Sequence, residues 1–120
     1  MIYRKLRVWL LSKELAVEIY QIASTLPNSE KFGLSSQMTR AAVSIASNIA
    51  EGASRSSIKE QVHFIEIAYG SLMELACQLE ISSAVGLIDE KTTEQLLLKI
   101  QKLSVMLSNY KNTKNNLHQD

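Results

Sequence analysis

Residues 37–52 read QMTRAAVSIASNIAEG, and this stretch decides the fold. Met38, Ala42, Ile45 and Ile49 recur at steps of four, three and four, which puts them on one stripe of a helix, and Leu34 extends the stripe back by a turn. Gln37, Arg40, Ser44, Ser47, Asn48 and Glu51 fall at the same spacings on another side and make a polar ridge. The many alanines and serines let neighbouring helices approach closely. Gly52 is placed to take the left-handed conformation that ends a helix, and residues 53–57 read as a connection.

Outward from this helix, three more are predicted. Val8, Leu11, Leu15, Ile19, Ile22 and Leu26 form a seam over residues 4–26, stopped by Pro27, which lacks a backbone donor and disfavours helix in the residue before it. Ser35 or Ser36 is placed to cap the second helix, over residues 35–51. Ser57-Ile58-Lys59-Glu60 matches a capping box and opens a third helix over 58–85, with Ile65, Ala68, Leu72, Leu75 and Leu79 as its seam and Gly86 as its stop. Asp89 is placed to cap a fourth over 90–112, where Leu96, Ile100, Leu103, Leu107 and Tyr110 repeat every three or four residues. Residues 113–120 read as a polar, fraying tail that includes His118. One domain of 120 residues, all-α, follows, and short connections between helices favour an antiparallel up-down-up-down four-helix bundle over a solenoid, for which no fixed repeat exists.

The totals exclude several functions. With 13 basic and 12 acidic residues the chain nets +1, so global charge makes no case for nucleic acid or membrane. No run of eighteen apolar residues spans a bilayer, and Lys13 and Glu14 interrupt the N-terminal apolar run too early for a signal sequence. The single cysteine, Cys77, reads as a small buried hydrophobe and suits a reducing cytoplasm. Glu60-x-x-His63 has the spacing of a di-iron helix but occurs once, and Glu60 is already used by the cap, so no metal centre is assigned. Glu66, Glu74 and Glu80 have no partner base, nucleophile or phosphate loop, so neither catalysis nor a cofactor is expected.

Two features point to surfaces instead. Each helix has apolar residues beyond its seam: Trp9, Ala16 and Ala23; Val43, Ala46 and Ala50; Val62, Tyr69, Met73 and Ala76; Leu98 and Val105. This surplus reads as an interface in a homo-oligomer, or as alanines that simply raise helix propensity. The second feature is charge. Arg4, Lys5 and Arg7 begin the chain and Lys111 and Lys114 end it, and in an up-down bundle both ends share one pole, while the third helix nets −3 from Lys59 against four glutamates. Such a pole could hold phosphates by counterion release, or could serve the helix dipole and solubility. Arg40, among small residues, is expected to pair with a glutamate of the third helix or of a neighbouring subunit.

Leu6, Trp9, Leu26-Pro27, Glu30, Phe32-Gly33-Leu34, Gln37, the run RAAVSI-x-x-NIAEG over residues 40–52, and then Phe64, Ile67-Ala68, Gly70-Ser71 and Glu74 together carry a family resemblance. The chain resembles the bacterial proteins encoded in intervening sequences of 23S ribosomal RNA genes. The resemblance implies a four-helix bundle assembled into a ring of five, a cytoplasmic bacterial setting and no catalysis. Ala46 stands where such proteins often have proline, which implies a straighter helix. The related accessory variability proteins of diversity-generating retroelements are similar in fold and work with RNA and a reverse transcriptase through a basic surface. Residues and resemblance together leave two alternatives: a scaffold that binds RNA or an RNA-associated protein through Arg4, Lys5, Arg7, Lys111 and Lys114, or a protein assembly module whose ridge of Arg40, Ser44, Asn48 and Glu51 packs against the third helix or another subunit with no nucleic acid bound.

Overall fold

A computed structural model describes residues 1–119, with side chains through Leu117. Four helices, α1 (Arg7–Ala23), α2 (Leu34–Ala53), α3 (Ile58–Ala84) and α4 (Glu90–Gln119), lie side by side in a rod of 50 × 22 × 20 Å. Two 3₁₀ turns, Ile2–Lys5 and Asn28–Glu30, precede α1 and α2, and no strand occurs among the described residues. Each helix packs on its sequence neighbours and α1 also meets α4, so α1 lies diagonal to α3.

The four seams make one core. Ile19, Met38, Ala42, Ile45, Ala68, Leu72, Leu75, Leu79 and Leu107 are fully buried, and Val8, Leu15, Ile49, Ile65, Leu96, Ile100 and Leu103 nearly so. Leu11, Ile22 and Tyr110 pack against this cluster from its margin. Two buried serines bond within their own helix. Ser12 donates to the Val8 carbonyl at 2.7 Å, and Ser82 to the Gln78 carbonyl at 2.7 Å.

The ends follow local chemistry. Ser57 Oγ accepts the Glu60 amide at 3.1 Å, and Asp89 Oδ1 accepts the Thr92 amide at 2.7 Å; the return bond of the capping box does not form, and the Glu60 carboxylate approaches Arg55 at 3.7 Å instead. Gly86 has φ +81°, and the Leu87 amide returns to the Ser82 carbonyl at 2.8 Å, closing α3. After α1, Ser24 and Thr25 hydroxyls take the Gln21 and Ile22 carbonyls ahead of Pro27.

Several expectations are corrected. Residues 4–26 are not one helix: Leu6 is extended (φ −77°, ψ 124°), so Arg4 and Lys5 sit on a 3₁₀ turn that lies against α2. The break brings the Tyr3 ring against that of Trp9, with centroids 4.8 Å apart and planes tilted by 56°. Ser35 and Ser36 lie inside α2, whose N-cap is Gly33. Gly52 does not end α2 either. It is a buried helical residue, and a Cβ there would meet the Phe64 Cβ at 2.9 Å and the Gln61 carbonyl oxygen at 3.3 Å. Cys77 is exposed, because the inward positions of α3 are residues 72, 75 and 79, and Cys77 falls between them on the outward side. Finally, α4 continues beyond residue 112 to Gln119; the side chain of His118 lies outside the described residues.

Two outcomes check these local arguments. Gly52→Ala gains helix propensity yet forces α2 and α3 apart, so urea unfolding should show a loss of about 1–3 kcal/mol; a gain would remove the close-approach explanation. The Asp89 carboxyl is held below its ordinary value by the Thr92 amide and then the Thr92 hydroxyl, with burial opposing and Lys91 assisting. A lowered folded-state pKa gives stability that is present above the unfolded value and lost as pH falls through the folded one. The stability difference between wild type and Asp89→Asn should therefore be present at neutral pH and shrink below about pH 4, measured by urea midpoints; a difference independent of pH would exclude a charge contribution.

Candidate nucleic-acid interface and the α2 ridge

The basic residues expected at one pole divide by surroundings. Arg4, Lys5 and Arg7 are exposed, and none has a carboxylate within salt-bridge distance among the described residues. Lys111 and Lys114 are half-buried on α4. Lys111 lines a cleft of about 440 Å³ between α3 and α4 together with Glu66, Tyr69 and Gly70. Lys114 lies over the Tyr110 ring, with Nζ 5.4 Å from its centre, a distance at which the ring face attracts the ammonium. Burial raises the pKa of the Tyr110 phenol. Farther along α1 and α4, Lys99 donates to both carboxylate oxygens of Glu18 at 2.7 Å.

The α2 ridge splits between two jobs. Ser44 and Ser71 share a hydroxyl hydrogen bond of 2.8 Å between α2 and α3. Asn48 Nδ2 donates to the Ser44 carbonyl at 2.8 Å and to its Oγ at 3.0 Å, fixing that hydroxyl. Glu51 pairs with Arg55 just past the end of α2. Arg40 stays exposed with no acid partner among the described residues, so it pairs with no glutamate of α3 within its own chain.

Arg55 itself escapes sequence reasoning, because the connection 54–57 has no periodicity. Its guanidinium lies 4.8 Å from the Phe64 ring centre, binds Glu51, and approaches Glu60 at 3.7 Å. Its carbonyl accepts Gln61 Nε2 at 2.8 Å. The one available signal is the pair of glutamates, four before and five after it, that bracket a lone arginine. Glu60 is thus engaged at the α2–α3 corner, while His63 turns its ring edge-on to Phe64 at 5.5 Å. No group of three or more His, Cys, Asp or Glu is placed to hold a metal among the described residues. No helix is long and apolar enough to cross a membrane among them.

Fold and surface together define a small four-helix protein whose charged residues lie on outward faces. The model of the 23S rRNA-intervening sequence protein family matches residues 4–109, and the chain belongs to that family. Its structure is similar to the crystal structure of a protein of unknown function from the S23 ribosomal protein family of Bacteroides thetaiotaomicron. The two share 26% identity over 87% of this chain and 97% of that one, with a TM-score of 0.81. No curated protein matches the chain.

Arg55→Ala removes the Phe64 stack and two acidic contacts at a partly exposed corner, where such contacts are worth about 1 kcal/mol together. Chemical denaturation should show a loss of that size, with Arg55→Lys recovering only part of it. Full recovery by lysine would mean that the planar stack contributes nothing.

Proposed function

We propose that this protein is a non-enzymatic, oligomeric scaffold or adaptor that binds structured RNA through the basic end of its bundle. The observation that carries this reading is the exposure of Arg4, Lys5 and Arg7 with no acidic partner among the described residues. The α1–α4 seam supports an antiparallel pair, since Glu18 and Ile22 share a cleft with Thr92 and Leu96 whereas Leu11 and Leu15 share one with Lys99 and Leu103; from the Glu18–Lys99 contact, eleven residues back is Arg7 and twelve forward is Lys111. The same sense between α2 and α3 is supported by the Ser44–Ser71 bond and by the contact of Ser82 with Met38, since one partner rises in number as the other falls. An up-down-up-down order then gathers Arg4, Lys5, Arg7, Lys111 and Lys114 at one end. Assembly into a ring of five, which the family resemblance implies, multiplies that end and would raise avidity for a nearly neutral chain. A cytoplasmic setting agrees with the single free thiol.

The second reading is a protein assembly module with no nucleic-acid partner. It is favoured by the exposed apolar residues on α1 and α2, among them Val17, Tyr20 and Val43. Under either reading no small-molecule substrate is required.

Fluorescence anisotropy with a labelled structured fragment of 23S ribosomal RNA, titrated across salt concentrations, separates the two. Binding through the basic end should weaken steeply with salt, and Lys5→Glu with Lys111→Glu should lower affinity and reduce the salt slope by about one per lost phosphate contact. Lys91→Glu, at the opposite end of α4, should change little. Absence of binding at low salt would exclude the RNA reading and leave the assembly module.

A further inference from the structure

Two outward faces are left largely unpartnered within a single chain, although Glu74 Oε1 accepts Gln78 Nε2 at 3.0 Å. The first is a groove of about 420 Å³ between α1 and α2, walled by Trp9, Ala16, Val17, Val43 and Ala46, with Lys13 on its rim. Arg40 lies one turn from Val43 on the same side of α2 and has no acid partner among the described residues. The second is the outward stripe of α3, where Ile67, Gly70, Met73, Cys77 and Ile81 are exposed at helical spacing, flanked by the exposed Glu66, Glu74 and Glu80. Gly70 is the informative residue. It weakens the helix interior, and nothing in its own chain comes within 4 Å of where a Cβ would stand, so no intrachain packing requires it. A second backbone or a large side chain approaching from outside would.

We infer that these faces are the two halves of one self-contact: the α1–α2 groove of one copy receives the acidic, apolar α3 stripe of the next. This assignment rests on the reading of the protein as a homo-oligomer and specifies how it assembles. Charge is complementary, with Lys13 and Arg40 facing Glu66, Glu74 and Glu80. Length also agrees, since Trp9 to Tyr20 and Glu66 to Glu80 span about 16 and 21 Å of helix. The levels match as well. The Ser44–Ser71 bond fixes one height on α2 and α3. From it, Arg40 lies four residues back and Glu74 three forward, in the same direction along an antiparallel pair. In the other direction Ala46 lies two residues on and Gly70 one back. Two copies side by side with parallel axes thus bring Arg40 to Glu74 and Ala46 to Gly70 without sliding. Because groove and stripe belong to different helices, each copy offers both at once, and the contact is head-to-tail.

The test uses the full chain, light scattering and the single thiol. Arg40→Glu and Glu74→Lys, both at exposed positions, should each weaken self-association about tenfold or more, and the double variant should restore it. Cys77, central in the stripe, should be alkylated by N-ethylmaleimide about tenfold more slowly in the wild-type assembly than in either single variant. Gly70→Leu, which fills the gap, should also dissociate the assembly, with circular dichroism showing intact helix in every variant. If wild type is a monomer with a fast-reacting Cys77, the homo-oligomer reading itself falls. If wild type assembles but Cys77 reacts at the monomer rate, or the double variant fails to recover, only the pairing of these two faces is overturned.

Discussion

The approach of α2 to α3 is the constraint on which the rest depends. Gly52 lies so near Phe64 that no side chain fits between them, and Ala41 and Ala42 are buried along the same helix. At such separation an unpaired hydroxyl would be stranded, and the Ser44–Ser71 bond removes that cost while fixing the axial position of the two helices. The corner beyond is closed by Arg55 stacked on Phe64 and bound to Glu51 and Glu60. Once this pair is set, α1 and α4 need only lay their leucine and isoleucine seams against it.

Family membership and this geometry bear on function in different ways. Membership places the chain among proteins named for a ribosomal RNA gene element, while the similar crystal structure belongs to a protein of unknown function. What the molecule itself offers are surfaces: the exposed Arg4, Lys5 and Arg7 with no acid partner among the described residues, an apolar groove rimmed by Lys13, and an acidic stripe on α3. Glu66, Glu74 and Glu80 of α3 face outward.

How far the sequence could be read depended on whether a residue's role is periodic. The stripe Met38, Ala42, Ile45, Ile49 and the seams of α3 and α4 were legible because burial of one helix face imposes its own spacing. Caps at Ser57 and Asp89 were legible because orphan amides demand those side chains. Gly52 was not, since a glycine near a helix end serves equally as a terminator or as a site of close approach, and only the position of Phe64 decides between them. Cys77 misled because its neighbours in sequence are apolar while its own angular position is outward. The break at Leu6 goes with a tilted Tyr3–Trp9 contact, and Arg55 acts in a connection, so neither leaves a repeat to read. For the candidate site, residue types were readable but partners were not. Ser44, Asn48 and Glu51 turn inward or to Arg55, whereas Arg40 on the same ridge does not.

The uneven packing around the core sets an order of assembly as the chain emerges in synthesis. The α2–α3 hairpin has the most extensive interface and a short connection, while α1 meets α4 the least, across a seam where a small cleft of about 160 Å³ lies beside the Glu18–Lys99 pair. Contacts local in sequence form early because little loop entropy opposes them. The first three helices can therefore come together before α4 has left the ribosome, and the α1–α4 seam is the last to close. It is also the first to breathe open in the finished molecule, and while it is open α1 is held by α2 and α4 by α3 alone among the helices.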